Sequence, residues 1–326
     1  MKRAFTLLEL VVVIVVLGII AMMSFNAIMN IYSNYFQTRT VNELETQTEI
    51  ALEQISKRLE HRIKPSVIAR KPSGEFLALN DSGVNLDAKY EILEFIPYAY
   101  EIFNDVISLD ANDHVIEQGG KAGRYSGYAD LAKSSPVTGM ISPGSNFTTG
   151  VVETIKDLTC KDDARNSKCV DFENKDGGVV AIFSDVYYNV QSSFGYSNGS
   201  VPVSLDIAKV GVKDGQRGIN GNTLEISGFD GKQISEQYHL AYTANAIVPE
   251  QSADPKDIAN GVFDLNLYYD YRPWMGEKYK PNGEKATLAK NVTRFVFTEK
   301  NGVIVLKLCM RAKNSEITIC KSKAVY

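Results

Sequence analysis

A chain of 326 residues with 44% hydrophobic and 23% charged side chains has the composition of a globular protein and the length for one large domain or two ordinary ones. Its net charge of −4, with lysines and arginines dispersed among acids, excludes an overall basic surface and gives no global attraction to nucleic acid.

The first element is apolar. Lys2 and Arg3 precede Ala4-Phe5-Thr6-Leu7-Leu8-Glu9-Leu10, and a run from Val11 to Met23 is interrupted only by Gly18. Between Arg3 and Arg39 the sole charged side chain is Glu9. A stretch of ~20 apolar residues spans a bilayer as a helix, and the basic pair at its start holds that end in the cytoplasm, so the remainder of the chain is expected on the far side. A secretory signal has its cleavage site after the apolar core and no acid before it. Here the acid lies inside the apolar stretch, where an ionised carboxylate is costly, so Glu9 is a functional-site candidate.

These residues resemble the type IV prepilin signature, in which Ala-Phe-Thr-Leu-Leu-Glu-Leu leads into Val-Val-Val-Ile-Val-Val-Leu-Gly-Ile-Ile-Ala. The resemblance implies that a prepilin peptidase cuts between Ala4 and Phe5, that Phe5 becomes the N-methylated first residue, and that Glu9 pairs in the fibre with the N-terminal amine of a neighbouring subunit. An α-amine with a reference pKa near 7.7–8.0 is mostly cationic at neutral pH and can neutralise such a carboxylate. Ala4 stands where the family usually has Gly, and no Pro kinks the helix; Asn26 occupies the corresponding place.

The implied division is a leader at 1–4, a helix over 5–64 and an exported domain over 65–326. Within the helix, 5–32 serves the membrane and then the fibre core, and 33–64 is amphipathic. Leu44, Thr48, Ala51, Leu52, Ile55, Leu59 and Ile63 recur at three-to-four-residue spacing and form one face, which predicts packing under a sheet. Glu43, Glu45, Glu49 and Glu53 crowd the earlier part of this segment, and Lys57, Arg58, Arg62 and Lys64 the end, matching the macrodipole before Pro65 closes the helix. At 1.5 Å per residue the helix would be ~90 Å long.

Beyond Pro65 short apolar or alternating segments lie between Gly, Pro, Asn and Asp, which predicts a β-rich antiparallel domain and an α+β fold of the type IV pilin kind. The predicted strands are Tyr90–Pro97, Asp105–Leu109, Val151–Ile155, Val179–Phe183, Tyr238–Val248, Val262–Tyr271, Val292–Thr298, Val303–Met310 and Glu316–Cys320. Ala111–Phe147 and Ser192–Asn222 read as long loop insertions, and Gly215, Gly218 and Gly221 lack the context of a phosphate-binding loop. Glu299-Lys300-Asn301-Gly302 predicts a hairpin turn. The C-terminal meander resembles, more distantly, the larger minor pilins and pseudopilins of the PilW and GspJ kind.

Four cysteines fall as two local pairs, Cys160 with Cys169 and Cys309 with Cys320, which suits disulfides in an oxidising compartment and no zinc pattern. Cys309 and Cys320 are symmetric about Asn314-Ser315, so a hairpin centred there sets them opposite each other. His61, His114 and His239 have no second ligand at metal spacing. Acids at Asp110, Asp113, Asp157, Asp162, Asp163, Asp171, Glu173 and Asp176 fit no EF-hand register and read as solvated loops rather than a calcium site. Tyr187, Tyr188, Tyr196, Tyr268, Tyr269, Tyr271 and Trp274 either fill the core or form an interaction surface.

No enzyme motif and no cofactor site is expected. The reading is a minor structural subunit of a type IV pilus or a type II secretion pseudopilus, in the bacterial inner membrane as a single-pass protein with a periplasmic domain, then in the fibre. The resemblance implies as partners other pilin or pseudopilin subunits, the prepilin peptidase, an inner-membrane assembly platform and membrane lipid. The bulk of the chain favours a low-copy or tip-proximal place, and Glu9 argues against the extreme tip pseudopilin, which in the family lacks this acid. The competing class is a periplasmic enzyme or sensor that uses the helix only as an anchor. The residues leave open whether such a fibre serves motility, adhesion, DNA uptake or secretion.

Overall fold

The computed structural model describes residues 7–81, 84, 89–103, 124–147, 150–160, 169–197, 205–212, 221–313 and 316–326. One helix, α1 (Leu7–Glu60), runs without a break for 54 residues, about 80 Å at the α-helical rise. No proline interrupts it, and its C-terminal part buries Leu44, Thr48, Ala51, Leu52, Ile55 and Leu59, the face given by the three-to-four-residue spacing. It ends at Glu60, and Pro65 lies within the following 3₁₀ turn, Lys64–Ser66, rather than closing α1 itself.

Thirteen strands follow among the described residues, in two antiparallel sheets. The larger sheet has the order β13-β12-β11-β10-β9-β3-β1-β2, with β1 (Ile68–Arg70), β2 (Phe76–Ala78), β3 (Ile92–Phe95), β9 (Ala244–Gln251), β10 (Phe263–Tyr271), β11 (Glu284–Lys300), β12 (Val303–Arg311) and β13 (Thr318–Val325). The smaller sheet has the order β4-β7-β6-β5-β8, with β4 (Met140–Ile141), β5 (Val180–Phe183), β6 (Ala208–Val212), β7 (Thr223–Ser227) and β8 (Tyr238–Ala241).

Side-chain alternation stacks these elements in layers. Leu93, Phe95, Ile247, Leu265, Leu267, Leu306 and Leu308 share a core with the buried face of α1. Ile92, Ala246, Tyr268 and Tyr271, on the opposite face of the same strands, share a second core with Val180 and Ile182 of the smaller sheet. Ala181 and Phe183, one residue out of phase, join a third core with Val151 and Ile155 of the short helix α2 (Val151–Thr159). The order is therefore helix, large sheet, small sheet, helix, with strand periodicity deciding which core each residue enters.

Four expectations need correction. Val151–Ile155 is helical, because Val151, Ile155 and Thr159 recur every fourth residue on a buried face and Glu153 accepts the Gly150 backbone N–H at 3.0 Å. Tyr238–Val248 is two strands in different sheets, β8 and β9, divided at Tyr242-Thr243. The supposed loop Ser192–Asn222 contains β6, whose Ala208, Val210 and Val212 enter the third core. The other supposed loop, Ala111–Phe147, contains the short strand β4, paired with β7. The expected strand Asp105–Leu109 lies outside the described residues, as do Gly215, Gly218 and the hairpin centre Asn314-Ser315.

The C-terminal meander is regular. Asn301 (φ 54°) and Gly302 (φ 79°) both take the left-handed conformation that a two-residue I′ hairpin turn requires. Cys309 faces Cys320 in register between β12 and β13, and the two are joined with their Cα atoms 4.0 Å apart. Cys160 and Cys169 are joined as well, just after α2. Peptide mapping under alkylating, non-reducing conditions is expected to recover the Cys309 and Cys320 peptides as one linked species; alkylation of both would contradict this pairing. Replacing both with alanine should cost about 3 kcal/mol, the loop-entropy value for a ring of this size.

Glu250 on β9 receives Lys280, Lys285 and the Tyr268 hydroxyl, the last at 2.8 Å. Partial burial opposes its ionisation, yet these hydrogen bonds prevail and hold the carboxyl at about 2 instead of the ordinary 4.5. A depressed carboxyl contributes stability that is fully present above its unfolded value and is lost as pH falls from 4.5 toward 2. Glu250→Gln should therefore lower the urea midpoint at pH 7 and leave little difference from the parent at pH 2.

Candidate functional site

The part of α1 that leaves the domain carries the functional signal. Every residue from Leu7 to Arg39 is exposed, including Leu10, Val13, Ile14, Leu17, Ile20, Met23 and Phe25, so none of the described residues of the domain covers this apolar rod. Burial begins only near Thr40, and Leu44 is the first residue of α1 in the core. A helix apolar on all sides needs another apolar environment, either hydrocarbon or other helices of its kind. At Gly18 a Cβ would meet no atom within 4 Å, so no contact among the described residues requires a glycine there; a small residue on an apolar helix instead allows close approach of a second helix.

Glu9 lies in the first turn of α1, on the exposed rod. Ala4 and Phe5 lie outside the described residues. Residues 1–25 match the family described as the prokaryotic N-terminal methylation motif. The chain begins as a type IV prepilin. That motif marks a substrate of the prepilin peptidase and a chain that assembles with other pilins, and with the apolar helix it fits a single-pass, membrane-anchored protein. No curated protein and no solved structure matches the chain.

The prepilin helix is fastened to its domain by charges as well as by its apolar face. Lys321 of β13 bridges Glu45 at 3.2 Å and Glu49 at 2.7 Å, and Lys323 bridges Glu53. The hydrogen bond from Lys321 holds the Glu49 carboxyl below its ordinary range, and Lys323 does the same for Glu53. The acids read from sequence as a macrodipole feature are thus spaced one turn apart along the edge of the sheet. All are solvent-accessible, so they set the register of the helix more than they add to stability.

At the domain end of α1, Arg62 is buried and acts as a three-way tie. Its guanidinium donates to the carbonyls of Leu59 (2.8 Å) and Gly302 (2.9 Å) and to the main-chain oxygen of Tyr326 (3.1 Å). The end of the helix, the β11–β12 turn and the end of β13 are thereby joined through one side chain. Sequence reading counted Arg62 only among the bases at the helix end.

Other singled-out residues have structural employment. His61 stacks on Tyr100 with ring centroids 4.0 Å apart, and His239 is packed beside Tyr98; His114 lies outside the described residues. Asp171 accepts the backbone N–H of Glu173, and Asp176 accepts the Ser227 hydroxyl, so these acids hold turns together. Asp110, Asp113, Asp162 and Asp163 lie outside the described residues. Of the aromatics, Tyr188, Tyr196, Tyr268, Tyr271 and Trp274 are core, whereas Tyr187 is exposed.

Proposed function

We propose that this chain is a low-copy structural subunit of a type IV pilus or of a type II secretion pseudopilus. The prepilin peptidase removes residues 1–4, Phe5 becomes the N-methylated terminus, and the inner-membrane assembly platform lifts the α1 rod out of the bilayer into the fibre core. Glu9 is the assembly residue: the amine of a neighbouring subunit gives its carboxylate a cation in a place where water is absent. The exported part, 65–326, is carried on the outside of the fibre and has no catalytic task. The observation that supports this reading most is the exposed, apolar first half of α1, which coincides with the methylation motif and carries a single acid. The size of the layered domain favours low abundance, because such a bulk on every subunit would crowd the fibre surface.

Mass spectrometry of the N-terminus after co-expression with and without a prepilin peptidase tests the reading. The expected product is a chain that starts at N-methylated Phe5 and is found only when the peptidase is present. A chain retaining Lys2 and Arg3 in both samples would instead make the helix a plain anchor and move the search for function to the exported domain.

A further inference from the structure

A cavity of ≈ 180 Å³ lies at the edge of the large sheet remote from β13, lined by β1, β3 and the segments 72–74, 196–197 and 273–280. Its floor is a buried ion pair. Arg70 and Glu94 are 6% and 2% exposed, with Arg70 Nε donating to Glu94 Oε2 at 2.7 Å. The carboxylates of the cavity and two of its carbonyls are already engaged. Glu94 Oε1 takes the Tyr271 hydroxyl at 2.8 Å, both oxygens of Glu277 are held by Arg272, and the carbonyls of Gly74 and Ser197 both accept from Arg70 Nη1 at 3.0 Å.

The donors are in surplus. Among the described residues, Arg70 Nη2, the Tyr279 hydroxyl and the Lys278 ammonium have no hydrogen-bond acceptor, and all three side chains line this cavity. Of the charged side chains that line the cavity, Arg70, Lys278 and Lys280 face only Glu94 and Glu277, and with Lys280 turned to Glu250 it is Lys278 that is left without an acid partner among the described residues. A cavity with unfilled donors, engaged carboxylates and one spare positive charge is complementary to a group that only accepts and carries one negative charge. Stiff apolar walls, Pro72, Pro273 and the ring of Tyr196, leave room for a short stem behind that group.

We infer that this cavity is a binding site for a small carboxylate, with Arg70 Nη2 and Tyr279 donating to its oxygens and Lys278 supplying the countercharge. A single spare charge suits a monoanion better than a phosphate dianion, and a guanidinium N–H suits a planar carboxylate oxygen. The site lies in the exported domain and is independent of how the chain is processed or assembled.

Equilibrium dialysis of the full chain in detergent tests the assignment, with labelled N-acetylglycine as probe, its neutral twin N-acetylglycinamide, and inorganic phosphate, all at matched ionic strength. Saturable binding of N-acetylglycine at roughly millimolar concentration or tighter is expected, with the amide and phosphate each weaker by at least about tenfold. Lys278→Gln and Tyr279→Phe, neither of which touches the buried ion pair, should each weaken the probe several-fold with an unchanged thermal midpoint. Equal retention of acid and amide, absence of saturation, preference for phosphate, or indifference of binding to both variants would each overturn the inference.

Discussion

Glu9→Ala is expected to leave the chain in the membrane and to remove it from the fibre. The substitution makes the apolar rod more apolar, so carbonate extraction should still find the variant in the membrane fraction. What it deletes is the carboxylate that the proposed assembly pairs with a neighbour's amine, an attraction magnified where water is excluded. Sheared fibres should contain the variant at a level lower by at least roughly tenfold, since even a modest loss of pairing free energy has that effect on an equilibrium. Glu9→Asp, which keeps the charge on a shorter stem, should fall between. Incorporation of Glu9→Ala at the parental level would remove the pairing from the mechanism while leaving the processing step untouched.

The second large effect is expected in the β-rich domain, at Glu94. Glu94→Gln leaves Arg70 charged and buried with no counter-ion, and breaking one side of such a pair costs about 3–5 kcal/mol. The single tryptophan, Trp274, is buried with its indole N–H donating to the Gly178 carbonyl at 2.9 Å, so its fluorescence reports unfolding nearby. The urea midpoint of Glu94→Gln should fall sharply. The triple variant Arg70→Met, Glu94→Leu, Tyr271→Phe removes the three polar side chains of the network, leaving only the Gly74 and Ser197 carbonyls at the cavity edge, and should recover much of the loss, because apolar replacements of matching volume spare the desolvation cost. A loss below about 1 kcal/mol for Glu94→Gln would mean that water entering the neighbouring cavity compensates the Arg70 charge.

How far these features could be read beforehand follows from how local their causes are. The helix and its buried face were legible because six residues from Leu44 to Leu59 recur at three-to-four-residue spacing with no Pro between them; Ile63, read as a seventh, lies past the end of α1 and enters the second core. The last hairpins were legible because Asn301-Gly302 has few alternatives and Cys309 and Cys320 mark their own register. Val151–Ile155 misled because Val-Val-Glu-Thr-Ile has β-branched residues and near alternation; only burial at Thr159 reveals the fourfold spacing. β6 was hidden by its surroundings, a five-residue strand among Gly and Asp whose burial is decided by a sheet assembled from distant segments. Arg70 and Glu94 are 24 positions apart on short strands, and nothing in either neighbourhood announces a partner. The apolar rod needed no fold to be recognised, since its character lies in the residues themselves.

The packing of α1 on β11, β12 and β13 has a consequence in time. The helix is made long before β11, β12 and β13, so part of the apolar face at residues 44–59 stays uncovered until those strands follow. Lys321, Lys323 and the Arg62 tie to Tyr326 close that arrangement, and none of them can form until the final strand has been delivered. A chain interrupted before β13 would leave residues 44–59 without part of their cover, and the order of synthesis thus makes completion of β13 the step that closes the packing of α1 on its sheet.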